Sequence, residues 1–300
     1  MQWQLQNNPL YAQYDKLVSS APKHLPYRFL PIELFKYHTV KSGQFEAQMV
    51  FSSSSTSGMG QSFHHVADSS IYKWSIWNGF KAQYGDPAQY IFFALLPSYL
   101  ERDGSSLVWM TNQLIQASAH PLSGFYLYNF NELYHNLLLA KREPNRRIFL
   151  LGVSFALLDF VAEFPIQLSD SIIMETGGMK GRSKELTRAE LHQSLQSGFN
   201  TSSIHSEYGM TELLSQAYAL KDGLFEPSST MKVYITDIHD VYQPVPDGKA
   251  GLINIIDLCN VSSCGFIQTT DIGIKHHNGL FEVLGRLDHS DLRGCSLMYA

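Results

Sequence analysis

The hexapeptide EYGMTE, residues 207–212, gathers side chains that could hold a nucleotide. The ring of Tyr208 can pack on a base, Gly209 permits a tight turn, and Thr211 offers a hydroxyl to an α-phosphate. The Glu212 carboxylate is a hard oxygen ligand suited to Mg²⁺. Three other segments complement it. FSSSSTSG, residues 51–58, presents hydroxyls and main-chain N–H groups from Ser53, Ser54, Thr56, Ser57 and Gly58, which can wrap phosphates. METGG ends in Gly177 and Gly178, whose lack of Cβ allows a flat ring or a ribose close to the backbone. In TTDIG, Asp271 at a strand end is placed to accept both ribose hydroxyls, and Arg286 lies in the turn after the next strand.

Each segment alone has an ordinary explanation. Serine runs form solvated loops, glycine pairs end strands, aspartate forms turns, and Thr211 could cap a helix over the apolar run 213–220. A rival constellation is RRIFLLGVSFALLDF, where Gly152, Ser154 and Ala156 approach the nucleophile elbow of an acyl hydrolase. Asp170 or Asp237 with His239 or His277 would supply its acid and base, but Ala156 stands where that motif has its second glycine. The neighbouring pairs His64–His65 and His276–His277 point to opposite faces of a strand, so neither pair readily shares one metal ion. Cys259 and Cys264 have no second pair to close a zinc site.

The elements that must position these residues follow from periodicity. A strand FEAQMVF runs into the serine segment. Spacing of Ile71, Trp74, Ile76, Trp77 and Phe80 predicts an amphipathic helix, and the apolar run 90–96 predicts a buried parallel strand. Helices over 105–119 and 130–142, a strand near 125–128, the strand RRIFLLGVS, the helix FALLDFVAEFP and the strand before METGG continue the alternation. Thr187 followed by Glu190 is a capping-box pattern, and 201–205 is β-prone. Beyond residue 225, MKVYITDI, GLINIIDL, GFIQTTDIG and GLFEVLGR are strands separated by turn signals. The expected fold class is α/β: parallel sheets flanked by helices, with an α/β body over 1–225 and a β-rich subdomain over 226–300.

The four segments, in this order, resemble the adenylate-forming superfamily of AMP-forming acyl and aryl ligases. Those enzymes carry a Ser/Thr/Gly phosphate loop, a Gly-Gly adenine segment, a Tyr-Gly-x-Thr-Glu loop, and a Thr-x-Asp followed by Gly-Arg-x-Asp. The resemblance covers about 50 to 291. FSSSSTSGMGQSFHHVAD, the spacing to YKWSIWNGF, and GRLDHSDLRGCS are most similar to acyl-protein synthetases, the ATP-using subunits of bacterial fatty-acid reductases. The resemblance implies the large-domain fold of these ligases, ATP and Mg²⁺ as cofactors, and a fatty or other aliphatic acid as substrate. It also implies an acyl-reductase or acyl-carrier partner and an acyl group carried on Cys295, near Arg293. Thr211, Glu212 and Cys295 would then be catalytic. The chain departs from the pattern in having Ser55 where glycine is expected, and in lacking the mobile carboxyl-terminal domain with its lysine. Lys180 and Arg182, with Lys184, are the nearest basic candidates to replace that lysine. A second reading is a nucleotide-binding scaffold that lost catalysis with the lysine; the hydrolase at Ser154 is a third.

Bulk properties restrict the alternatives. The chain has 300 residues, 44% hydrophobic and 16% charged, and a net charge of −5. That composition suits a globular core, and the absence of a Lys/Arg cluster argues against nucleic acid as a partner. The amino terminus lacks the pattern of a secretory signal. The longest apolar stretch, 148–164, is too short to span a bilayer and contains Asp159 and Glu163. Few cysteines and no disulfide framework point to the cytoplasm.

Overall fold

A computed structural model describes residues 1–21, 24–53, 60–100, 103–177 and 186–287. Helices α1 (Gln2–Asn7) and α2 (Pro9–Leu17) lead to the short strand β1 (Leu30–Pro31) and helix α3 (Leu34–Tyr37). Strands β2 (Met49–Ser52) and β3 (Phe63–Val66) form an antiparallel hairpin. There follow α4 (Ser69–Tyr84), β4 (Tyr90–Leu95), α5 (Pro97–Leu100), α6 (Ser106–Ser118), β5 (Gly124–Tyr126) and α7 (Phe130–Ala140). Next come β6 (Arg147–Val153), α8 (Ser154–Glu163), β7 (Ile172–Thr176), α9 (Arg188–Phe199) and β8 (His205–Tyr208). The remainder is β: β9 (Ala217–Ala219), β10 (Phe225–Pro227), β11 (Met231–Thr236), β12 (Ala250–Asp257), β13 (Phe266–Lys275) and β14 (Phe281–Arg286).

Apart from the hairpin, the strands form one sheet in the order β11-β12-β13-β14-β10-β9-β8-β7-β6-β4-β5, with β1 added beside β13. From β5 to β8 every pairing is parallel. Strand β9 then runs antiparallel to β8, and the ladders from β9 on to β11 are antiparallel, while the added β1 runs parallel to β13. The fold is therefore the mixed α/β class expected. Strands β4 and β7 are buried along their whole length because helices cover both faces. Phe93, Leu150 and Ile173 face α7, α8 and α9, while Phe92, Phe149 and Met174 face α4 and α6. A large apolar side chain buried this way contributes roughly 1.5–3 kcal/mol. A third core packs the antiparallel half against the amino-terminal helices through Tyr11, Phe35, Ile255 and Phe281.

Caps fix where the helices begin. Asp68 accepts the Ser70 N–H to open α4, and Thr187 and Glu190 form the expected capping box of α9. Four local expectations change. The serine segment is followed by a hairpin return through β3, and only then by α4. The β-prone stretch lies later, at β8, so Glu207 and Tyr208 are strand residues. Asp271 sits inside β13, and Arg286 is the last residue of β14, directly across from it. Residues 213–220 form no helix: an irregular turn leads into β9, because side chains from distant elements take up the main-chain groups of this segment.

Candidate functional site

Strand β8 lies where the sheet changes from parallel to antiparallel, and the site gathers at its carboxyl end. Tyr208 donates its hydroxyl to Asp271 Oδ2 at 2.8 Å, and Arg286 Nε donates to Asp271 Oδ1 at 3.1 Å. Tyr208 and Asp271 are buried, whereas half of the Arg286 side chain is exposed. The Tyr208 ring is held edge-on by Phe225 and Phe281, with centroids 5.8 and 5.5 Å away. Burial, the Asp271 charge and its hydrogen bond together push the Tyr208 hydroxyl far above its ordinary pKa, so it stays a donor. Each carboxylate oxygen of Asp271 has two lone pairs, so both oxygens can still accept a further hydroxyl.

Thr211 and Glu212 occupy the turn after β8. The Glu212 carboxylate is buried and accepts from the Ser62 hydroxyl through Oε1. Ser62 in turn ties to Ser53: its N–H donates to Ser53 Oγ at 3.0 Å, and its carbonyl accepts from Ser53 N at 3.1 Å. The base of the serine segment is thus clipped beside Glu212. Burial raises the Glu212 pKa, and the Ser62 hydroxyl and the charges of Arg286 and Lys36 pull it back. Because Arg286 acts on both Tyr208 and Glu212, the two groups of residues share one electrostatic environment.

Side chains without an assigned role in the motifs support this turn. His64 Nδ1 lies 2.8 Å from the Thr211 carbonyl, which can only accept, so Nδ1 carries the proton. Burial pushes the His64 pKa down to about 4 and keeps the ring neutral. Asn260 Nδ2 donates to the Glu212 carbonyl at 2.6 Å. Asp257 accepts Leu214 N at 2.7 Å, Ser215 N at 2.9 Å and Ser215 Oγ at 2.6 Å.

Glu207, the first residue of the hexapeptide, is also buried. Its Oε2 accepts from Thr176 Oγ1 at 2.5 Å. A Cβ at position 209 would meet its Oε1, so the Glu207 carboxylate would have to shift to admit any other residue there. Burial, with a smaller push from Glu175, raises the Glu207 pKa to about 7 despite the Thr176 hydrogen bond. Gly177 has φ +72, and a Cβ there would meet the Tyr99 hydroxyl at 3.0 Å.

Of the residues named from sequence, the fold brings Ser53, Thr211, Glu212, Tyr208, Gly209, Asp271 and Arg286 around the end of β8, with Gly177 closing neighbouring β7. Ser54, Thr56, Ser57, Gly58, Gly178, Lys180, Arg182 and Cys295 lie outside the described residues. Among the described residues no group of three or more His, Cys, Asp or Glu side chains could hold a metal ion. No helix of the described residues is long and apolar enough to cross a membrane. Cys259 and Cys264 are buried, and burial pushes the Cys264 thiol up to about 12. The hydrolase constellation does not assemble. Ser154 is fully buried and donates to Glu175 Oε2 at 2.9 Å. Asp237 accepts the N–H groups of His239 and Asp240 in its own turn, and exposed His277 lies 3.4 Å from Asp247.

The family model described as "Acyl-protein synthetase, LuxE" matches residues 141–300, just over half of the chain. No curated protein matches. Among solved structures, ATP-bound MatB from Rhodopseudomonas palustris is 15% identical with a TM-score of 0.60, covering 79% of this chain and 47% of that one. A long-chain-fatty-acid-CoA ligase, FadD1, from Archaeoglobus fulgidus is 13% identical with a TM-score of 0.58, covering 83% and 53%. O-succinylbenzoate coenzyme A synthetase, MenE, from Bacillus subtilis in complex with AMP is 17% identical with a TM-score of 0.55, covering 82% and 50%. The chain spans about half the length of these structures and shares the fold of adenylate-forming ligases. With its carboxyl-terminal half matched by the family model, the chain belongs to the acyl-protein synthetase (LuxE) family.

Proposed function

We propose that the chain activates an aliphatic carboxylic acid, in the first instance a fatty acid, with ATP and passes the acyl group to a protein thiol. Oxide is a hopeless leaving group, so a carboxylate needs activation. Attack of its oxygen on the α-phosphate of ATP forms a C–O–P linkage and expels pyrophosphate. A thiolate then attacks the acyl carbon and AMP departs, leaving a thioester. The observation that carries this reading is the Tyr208–Asp271–Arg286 chain of hydrogen bonds at 2.8 and 3.1 Å, sharing the field of Arg286 with Glu212. Asp271 would accept the ribose hydroxyls and Tyr208 and Gly209 would line the base, with Gly177 and Gly178 on the other side. Ser53, Ser54, Thr56, Ser57 and Gly58 would hold the outer phosphates, and Thr211 the α-phosphate.

Mg²⁺ typically takes one or two protein carboxylates and completes its shell with phosphates and water. Glu212, a buried carboxylate bonded to Ser62 and so tied to Ser53, fits that share. Bound there, the ion would neutralise charge that gathers on phosphoryl oxygens. Lys180, Arg182 and the exposed Arg286 are the chain's own cations for the same task. The acceptor thiol is assigned to Cys295, with a cytoplasmic acyl reductase or carrier protein as the onward partner.

Incubation with ATP, Mg²⁺ and labelled fatty acids should give a hydroxylamine-sensitive label on the protein, lost in Cys295→Ser. Acid-dependent pyrophosphate exchange should survive that substitution and fall at least tenfold in Asp271→Asn, about 1.4 kcal/mol. Thermal stabilisation by ATP with no exchange under any acid would replace the ligase by a nucleotide-binding scaffold.

A further inference from the structure

Residues 211–215 follow an irregular path, yet their main chain is not left to solvent. Four of the five have a main-chain group bonded to a side chain from elsewhere. The Thr211 carbonyl meets His64, the Glu212 carbonyl meets Asn260, and the Leu214 and Ser215 N–H groups meet Asp257. Those partners come from β3 and from the end of β12 with the turn after it. His64 and Asp257 are fully buried, and Asn260 is 1% exposed. Burying an imidazole, a carboxylate and an amide is costly unless each is hydrogen-bonded. A chain that needed only to cover its core could have continued as an apolar helix over 213–220, as its own spacing allows. The buried polar side chains instead hold both flanks of one residue, Glu212, whose carboxylate is thereby delivered to Ser62, itself bonded to Ser53.

We propose that His64, Asn260 and Asp257 are positioning residues that fix the main chain on either side of Glu212 and so set its carboxylate for a Mg²⁺-bound nucleotide. This rests on the assignment of Glu212 to the Mg²⁺–nucleotide site. All three side chains bond the main chain of the turn. Each acts through the turn, so loss of one should weaken the Mg²⁺-dependent part of nucleotide binding and spare the rest.

The test is calorimetric titration of the full-length protein with ATP, with and without Mg²⁺, for four proteins: wild type, Asn260→Ala, Glu212→Gln and the double variant. Asn260→Ala should weaken ATP binding about tenfold with Mg²⁺ present, the worth of one buried hydrogen bond, and leave it within twofold without Mg²⁺. Glu212→Gln should abolish the gain that Mg²⁺ gives, and adding Asn260→Ala to it should change nothing further. A merely structural role would produce additive losses or equal losses with and without the ion, and either result overturns the proposal. An unchanged Mg²⁺ gain in Asn260→Ala overturns it as well. His64→Phe, which keeps a ring against Phe35 and loses the imidazole's contacts with the Thr211 carbonyl and Asn260, is expected to repeat the pattern if Asn260→Ala does not fold. A wild type whose ATP affinity is indifferent to Mg²⁺ would remove the assignment of Glu212, and this inference with it. Wild-type Mg²⁺ dependence that Asn260→Ala preserves would sink the inference alone.

Discussion

Glu175 and Glu207 lie on neighbouring strands but on opposite faces of the sheet, and they meet opposite fates. Glu175 pairs in register with Ser206 and faces α8 and α9. There it accepts from Ser154 at 2.9 Å and Arg188 at 3.0 Å, with His192 3.6 Å away. Burial alone would raise its pKa, but His192, Arg188 and the two serine hydroxyls outweigh it and hold the carboxyl below its ordinary range. One residue beyond Ser206, Glu207 faces the α4 side, across the ladder from Tyr218. Its partner is the Thr176 hydroxyl, and its pKa is raised to about 7. The two environments are similarly buried. What separates them is the set of partners: His192, Arg188 and two serine hydroxyls together hold the charge of Glu175, whereas the single Thr176 hydroxyl is not enough to offset the burial of Glu207, which keeps its proton.

The largest effect should come from breaking the Glu175 side. Arg188→Ala leaves a buried carboxylate with hydroxyls and His192. Removing one partner of a buried pair costs about 3–5 kcal/mol, and about 2–4 is expected here because Arg188 is a third exposed. Denaturation at pH 8 should show this loss. Since a depressed carboxyl contributes stability above its unfolded pKa and forfeits it as pH falls, the gap between wild type and variant should narrow below about pH 4.5. A constant gap would mean that Arg188 acts by packing over Phe225 instead.

The Glu207 side should show the opposite slope. Between the ordinary 4.5 and about 7 the folded protein holds a proton that the unfolded chain has released. Raising pH through that window therefore costs stability, by at most about 3 kcal/mol, and the cost is flat above it. Glu207→Gln is isosteric, keeps an acceptor for Thr176 and cannot titrate. It should be about 2 kcal/mol more stable relative to wild type at pH 8 than at pH 5. Parallel pH profiles for the two proteins would show that Glu207 is not protonated near neutrality.

Much of this arrangement was legible in the residues. The continuous apolar run of β4 announced a buried parallel strand, RRIFLLGVS announced the strand β6, and the Thr187–Glu190 box announced the start of α9. The named residues Tyr208, Asp271 and Arg286 meet within hydrogen-bonding distance. The polar groups that hold the turn were not legible, because each acts on a partner far along the chain. Ser62 is 150 residues from Glu212, His64 is 147 from Thr211, and Asn260 is 48 from Glu212. Apolar spacing over 213–220 carries a helix signal, and nothing local reports that Asp257 takes the N–H groups such a helix would need. Tertiary hydrogen bonds override local propensity here. Glu207 was passed over for a related reason. With the β-prone stretch read at 201–205, Glu207 falls on a loop, where a glutamate reads as solvent-facing; only β8 and the cover above it, α4 with its tyrosines, bury it.

The smallest change that sharpens the contrast is Thr176→Val. Valine matches threonine in shape but offers no hydroxyl, so Glu207 would lose the 2.5 Å donor that partly offsets its burial. Among the causes acting on Glu207, Thr176 is the one that lowers its pKa, whereas burial and the Glu175 charge raise it. Without it the protonated form is favoured further, and the pH at which stability levels off should move upward by about one unit, or roughly 1.4 kcal/mol. At pH 5, where Glu207 is protonated in either protein, the substitution should cost only about 1 kcal/mol, the worth of one neutral hydrogen bond. The two expectations together distinguish a hydroxyl that holds a charge from one that merely fills space. If the profile keeps its midpoint and only drops, Thr176 serves packing at the end of β7, and the Glu207 face has some other control over its carboxyl.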